Sequence, residues 1–295
     1  MASAGAASFP GRGSGVLLIS VILPVYNGEP YLADAVESIR SQSFADFELL
    51  AIDDQSADGS ARYLQRMVER DPRIRLLSNP RKGLVEALNL GLASARGAFI
   101  ARMDADDVSA PDRFQRQADF LTANPAIAVV GSAMTLIDGA GQVIGETDYP
   151  TEPARIHRAL DRMSCALAHP TVMARRSVLA GLGGYREGLR YAEDYDLWLR
   201  VAEGHRLANL PERLLRYRRH DGSVSQTHSY NQQLATHVAW LCARARRSGH
   251  GDPMAGFDNL SMADLLRFDI ADGERVRILR ALLATLPRHA QAGPA

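Results

Sequence analysis

The sequence predicts an α/β fold with a mostly parallel central sheet flanked by helices. Short apolar runs alternate with helix-period segments as far as Asp104, the pattern of consecutive βα units. These runs end in polar or acidic residues, and an open α/β sheet binds its ligands at the C-terminal ends of its strands. After Pro125 the alternation breaks, so the second half is expected to be built differently.

Taken in order, Val16 to Leu23 is a buried strand that stops at Pro24, which lacks a ladder N–H. Asn27-Gly28 is a turn, and Pro30 suits the first turn of a helix reaching Ser41. Ala33, Val36 and Ile39 give that helix its apolar stripe. Phe47 to Ile52 is a second strand, ending at Asp53-Asp54. Ser56 to Ser60 is turn and cap chemistry, with Asp58 or Ser60 as the cap of a helix running to Arg70. Ile74 to Leu77 is the third strand, and Gly83 opens a helix with Leu84, Leu88 and Leu92 on one face. Phe99-Ile100 belongs to a fourth strand reaching Asp104.

A helix follows over residues 112–124, with Phe114, Ala118 and Leu121 apolar and Asn124-Pro125 as its stop. Ala128 to Ile137 and Val143 to Thr147 read as a hairpin about Asp138-Gly139-Ala140-Gly141. Thr171 to Met173 is a short strand, Ala192 to Glu203 a helix and Arg213 to Arg219 a strand. From Ser229 the chain is helical.

The chain has 295 residues and a formal net charge of zero, enough for one large α/β domain with appendages. No basic excess points to nucleic acid. Its two cysteines, Cys165 and Cys242, exclude a disulfide framework and favour a reducing, cytoplasmic setting. No apolar stretch approaches membrane-span length. Residues 1–15, rich in Ala, Ser and Gly, read as a disordered leader.

Five constellations carry chemistry. Pro24-Val25-Tyr26-Asn27-Gly28-Glu29 sits between the first strand and its helix, where backbone groups and a helix N-terminus meet a ligand. It is neither a GxGxxG loop nor a Walker motif. After the second strand, Asp53 or Asp54 can accept a base N–H or a ribose hydroxyl. Asp104, Asp106 and Asp107 follow the fourth strand, and three anions so close call for a divalent cation carrying phosphate. Asp106 is the Mg²⁺ or Mn²⁺ ligand of that set. Glu193-Asp194 lies in a helix's first turn, where the macrodipole favours acids; one of the two can also serve as a general base toward an acceptor hydroxyl. Finally, Arg216 to His220 ends a strand in basic residues that can clamp phosphate. Arg244, Arg246 and Arg247 read as a solvated helix end with room for weak contact with anionic lipid head groups.

Together these segments resemble family 2 glycosyltransferases of the GT-A fold, especially bacterial enzymes of polysaccharide and lipopolysaccharide assembly. The resemblance runs through Ser20 to Asn27, Ile52 to Ser60, Met103 to Asp107, Glu193 to Arg200 and the His220 segment, in the family's order. It implies a GT-A domain over residues 16–225 (a nucleotide-binding half, 16–110, and an acceptor half, 111–225) and a C-terminal helical extension over 226–295. It implies inverting transfer of one sugar from a nucleotide-sugar donor, expected to be a UDP-sugar, to a glycan or lipid-linked acceptor. Mg²⁺ or Mn²⁺ would be the cofactor.

Carried over, Pro24, Val25, Tyr26, Asn27 and Glu29 line the nucleotide loop, and Asp54, or Asp53, meets the base. Lys82, Arg102, Asp104 and Ala105 complete the donor pocket, with Asp104 on the ribose. Asp106 and His220 hold the metal. Asp194, with Glu193 beside it, is the base. His169 and Trp198 face the acceptor. The family's processive members carry a Gln-x-x-Arg-Trp motif and membrane helices, and neither is here, which favours single additions at or near the inner membrane face. A sugar-1-phosphate nucleotidyltransferase is the competing enzyme reading, but it needs a Gly-rich, Arg/Lys-bearing first loop. A non-catalytic nucleotide- or sugar-binding module is the other, and it needs no Asp194.

Overall fold

Near-continuous apolar runs in Ile19–Val25 (β1), Phe47–Asp53 (β2), Ile74–Ser78 (β3) and Phe99–Arg102 (β4) build a parallel half-sheet ordered β3-β2-β1-β4. The computed structural model describes residues 18–220, 229–254 and 278. Both faces of this half-sheet are buried, as parallel strands require. Helices Leu32–Arg40 (α1), Ser60–Arg70 (α2) and Leu84–Ser94 (α3) connect the strands. Leu88 and Leu92 of α3 face the core, whereas Leu84 is exposed at the helix's first position.

The first strand does not stop at Pro24. It continues to Val25, with Pro24 opposite Ile52 of β2. The missing N–H costs no ladder bond. Ile22 accepts from Met103 on the β4 side and Val25 accepts from Asp54 on the β2 side, so Pro24 points toward β4 beyond its last residue.

The second half is mixed. Val108–Ser109 (β5) precedes Arg113–Ala123 (α4), and Ile127–Ile137 (β6) forms the expected hairpin with Val143–Thr147 (β7). Pro153–Asp161 (α5), which the sequence reading left unassigned, buries Ile156 and Leu160. His169–Thr171 is a 3₁₀ turn, so the strand expected from Thr171 begins at Met173 (β8, Met173–Arg175). Arg176–Gly181 (α6) and Glu193–Gly204 (α7) follow. The last strand, Arg206–Arg218 (β9), is longer than expected at its start and pairs parallel with β6. The complete sheet runs β3-β2-β1-β4-β8-β6-β9-β5, with β7 on β6.

Ser229–Arg247 (α8) packs on the domain. Its Leu234, Val238, Leu241 and Cys242 join the apolar cluster that contains Leu197 and Trp198 of α7. No described helix is long and apolar enough to cross a membrane. The leader expected over residues 1–15 and most of the chain after Met254 lie outside the described residues.

Candidate active site

Two strand-end loops are stitched into one surface. Asn27 takes a left-handed backbone (φ 49°) just after β1. Its N–H donates to Ser56 Oγ (3.1 Å) and its Oδ1 accepts from the Ala57 N–H (2.8 Å). Gly28 N–H donates to Ser60 Oγ at 3.0 Å and Glu29 N–H to Asp58 Oδ2 at 3.0 Å; Glu29 Oε2 accepts from Gly59 N–H at 3.1 Å. Gly59 is the residue at the N-cap of α2, and Asp58 Oδ1 accepts from the Ser60 N–H at 2.9 Å. Asn27 and Glu29, expected in the nucleotide loop, therefore hold that loop against its neighbour. Pro24 and Val25 lie beneath it at the end of β1.

The adjacent acids divide their work. Asp54 is buried, and its Oδ1 accepts from Asn79 Nδ2 (2.6 Å) and the Gly83 N–H (2.9 Å). It thereby fixes Gly83, whose φ of 145° suits glycine, at the start of α3. Asp53 is half-buried at the tip of β2, and its Oδ1 receives only a long bond from the Ser56 N–H (3.4 Å). Lys82 Nζ donates to Tyr26 Oη at 2.9 Å and lies 4.0 Å from that ring's centre, which places an exposed aromatic–cation pair at the mouth of the two loops.

The three acids after β4 converge. Asp104, Asp106 and Asp107 each place a carboxylate oxygen within 4.8 Å of the others. Ala105 packs beside Gly28, joining this turn to the first loop. Asp107 is fully buried; its Oδ1 accepts from the Arg218 N–H at 2.8 Å and its Oδ2 has no hydrogen-bond partner. Burial pushes the Asp104 and Asp107 carboxyls above the ordinary range, and the neighbouring acids add to the rise. Asp106 Oδ2 lies 3.0 Å from His220 Nε2. An orphaned buried oxygen in a set of hard-oxygen donors fits a divalent ion of the Mg²⁺ or Mn²⁺ type.

Buried cations hold this turn. Arg102 is 4% exposed and pairs with Asp104. Arg218, expected among phosphate-clamping residues, is instead buried: its Nε donates to the Asp106 carbonyl at 2.8 Å and its ring-facing guanidinium lies 4.4 Å from the Tyr31 centroid. Arg113, which no motif in the sequence singles out, is fully buried and donates to the carbonyls of Arg102 and Val172. Its signal was weak: one arginine at the start of an amphipathic helix.

Across from the triad, Glu193 and Asp194 open α7. Tyr191, two residues before, is left-handed (φ 73°) and turns the chain into the helix. Burial and the Asp194 charge raise the Glu193 carboxyl to about 7, and burial raises Asp194 as well. The charges of Arg102 and Asp104 both act on Asp194, Arg102 lowering its carboxyl and Asp104 raising it, so base candidate and acidic triad lie in one electrostatic neighbourhood.

His169 Nε2 is 2.9 Å from Tyr185 Oη, and burial beside Arg102 holds the imidazole well below its ordinary pKa and hence neutral. Trp198 does not reach a surface. It is 1% exposed, edge-on to His169 in the core, and its indole N–H has no hydrogen-bond partner. The Trp198 side of the helix is the buried side, which removes the expected acceptor contact. Asp196 is likewise internal, paired with Arg200 at 2.8 Å.

The model of the family described as "Glycosyl transferase family 2" matches residues 20–180, the stretch that carries both strand-end loops and the triad. The chain belongs to glycosyltransferase family 2. This glycosyltransferase is 38% identical over 234 residues to the putative glycosyltransferase EpsE of Bacillus subtilis, covering 77% of this chain and 83% of that protein. It is 35% identical over 218 residues to the O-antigen biosynthesis glycosyltransferase WbnJ of Escherichia coli, covering 71% and 83%. Family membership sets aside the nucleotidyltransferase and non-catalytic readings.

Among solved structures, the glycosyltransferase superposes on S. aureus TarS 1-349 in complex with UDP-GlcNAc with a TM-score of 0.62, at 17% identity and covering 93% of this chain and 84% of that one. The mannosyltransferase PcManGT from Pyrobaculum calidifontis, in complex with GDP-Man and Mn²⁺, gives 0.58 at 20% identity, covering 94% and 76%. These likenesses bear out the GT-A fold.

Proposed function

We propose that this glycosyltransferase moves one sugar from a UDP-sugar to a hydroxyl of a glycan or lipid-linked acceptor, with inversion, in cell-surface polysaccharide assembly at the inner membrane face. The observation that carries this reading is the convergence of Asp104, Asp106 and Asp107 within 4.8 Å at the end of β4, with buried Arg102 pairing with Asp104 and Asp194 within the fields of both. The donor class is supported by the nucleotide sugars in TarS and PcManGT, and the acceptor class by the O-antigen role in WbnJ's name.

In the proposed step the acceptor oxygen attacks the anomeric carbon, and the bond from that carbon to the diphosphate oxygen breaks. Asp194 takes the acceptor proton, and the bonding pair leaves with the diphosphate. Asp53 and Tyr26 hold the nucleotide, Asp104 the ribose, and Lys82 faces the diphosphate. Asp106, with His220, would hold the divalent ion, which when bound supplies positive charge to the leaving diphosphate. His169 is a neutral support on the acceptor side.

The test is a panel of nucleotide sugars assayed for release of the nucleoside diphosphate with and without Mn²⁺. Asp194→Asn should lower turnover by ~10²–10⁴-fold while leaving donor affinity in place. Normal turnover by that variant rejects the base assignment.

A further inference from the structure

The outer face of α5 is made of arginine. Arg155, Arg158 and Arg162 are spaced three and four residues apart, so they stand on one stripe of the helix. All three are exposed, whereas Ile156 and Leu160 on the opposite stripe are buried. They make no ion pair among the described residues. In a chain of zero net charge this is a local excess rather than a share of a global one.

Helix α8, packed on α7, touches α5 at the latter's last residue, Asp161, and extends the same surface. Trp240 Nε1 donates to the Asp161 carbonyl at 2.9 Å, and Arg247 pairs with the Asp161 carboxylate at 2.6 Å. Arg244 lies 4.7 Å from the Trp240 ring centre, a cation stacked on an indole. Behind this surface a cleft of about 380 Å³ is lined by His157, Glu203, Arg246 and Arg247. Arg246 there is neutralised by Glu203 and Asp252, so the cleft is not the anion site. The uncompensated charge is on the outside.

The surface also has a position relative to the chemistry. Arg162 is three residues from Cys165, and the Asp194 charge reaches the Cys165 thiol. Tyr195, next to Asp194, donates its hydroxyl to the Leu160 carbonyl of α5 at 2.6 Å. The arginine stripe thus flanks the acceptor side of the pocket.

We infer that the joined face of α5 and α8 (Arg155, Arg158, Arg162, Trp240 and Arg244) docks on an anionic lipid bilayer and turns the Asp194 side of the pocket toward acceptors held there. Charge complementarity selects the bilayer: a row of exposed arginines matches a surface of anionic head groups, with Trp240, packed on the core, as the platform on which Arg244 stacks. The inference rests on the lipid-linked acceptor reading for its purpose, but not for its test.

The test is sedimentation of the full chain, without substrates, with phosphatidylcholine vesicles and with vesicles containing phosphatidylglycerol. Wild type should pellet with the anionic vesicles only, and added salt should release it. The triple variant Arg155→Glu/Arg158→Glu/Arg162→Glu should lose about a hundredfold or more in partitioning, at roughly fivefold for each of the three charges. The Lys triple variant should keep it. Donor hydrolysis by both variants should match wild type, which shows that the fold and the donor site are intact. Equal pelleting with neutral vesicles, or full binding by the Glu variant, overturns the inference. Charge-dependent vesicle binding without transfer to a lipid-linked acceptor would leave the surface standing and reject the acceptor reading instead.

Discussion

Asp106 and His220 meet at 3.0 Å although 114 residues separate them. One follows β4 of the parallel half-sheet and the other follows β9 of the mixed half. The Arg218 guanidinium between them, bonded to the Asp106 carbonyl, sets their approach. The two halves therefore close on a single point, and that point is where the acidic triad has an unsatisfied buried oxygen.

From this follows a metal prediction. Asp106→Ala should abolish the Mn²⁺-dependent part of donor binding. His220→Ala, which removes the other residue proposed to hold the ion, should weaken it by at least ~10-fold. Calorimetric titration of the nucleoside diphosphate with and without Mn²⁺ measures both. Wild-type affinity that does not change with Mn²⁺, or Mn²⁺ dependence kept in full by Asp106→Ala, would reject the ion site.

The neighbouring acids of the second loop should separate cleanly. Asp54 receives bonds from Asn79 and Gly83 in a buried place, so Asp54→Ala should destabilise the fold by about 1–3 kcal/mol. Asp53→Ala should leave the melting temperature within a degree or so of wild type on that scale but weaken nucleotide binding. Thermal melts beside nucleotide titrations decide it, and the reverse pattern would assign the base contact to Asp54.

That division was invisible in the sequence, where Asp53-Asp54 is two equal letters at a strand end. The strand ends themselves were legible, because β1, β2 and β4 are short apolar runs closed by polar residues. The convergence of Asp104, Asp106 and Asp107 was legible for the same reason. What stayed hidden were side chains whose role is set by distant partners. Arg113 and Arg218 look like surface arginines until tertiary packing buries them. Helix α5 was missed because a short run rich in charge gives little apolar periodicity, and its core contact rests on Ile156 and Leu160.

Glu193 predicts a pH effect on stability. Its carboxyl is raised from 4.5 to about 7 by burial first and by Asp194 second. Between those values the folded protein holds a proton that the unfolded chain has lost, so this group's contribution falls as pH rises through that window. Below 4.5 both states are protonated and the contribution is constant. Glu193→Gln should therefore raise the melting temperature relative to wild type at pH 8 and leave it nearly unchanged at pH 4, by calorimetry. An equal shift at both pH values would mean that Glu193 ionises normally in the fold.

Trp198 decides between a sugar contact and a core role. An aromatic residue in an acidic motif invites the first reading, but the ring is buried beneath His169 and its N–H bonds to nothing. Removing the N–H alone should then cost little, since no hydrogen bond is lost and a buried unpaired donor is itself unfavourable. Trp198→Phe should fold and keep its acceptor KM. Trp198→Ala leaves a cavity next to Leu197, Leu199 and α8 and should cost about 3–5 kcal/mol. Its activity should fail with temperature rather than with acceptor dilution. A raised acceptor KM in Trp198→Phe, at unchanged melting temperature, would restore the acceptor contact.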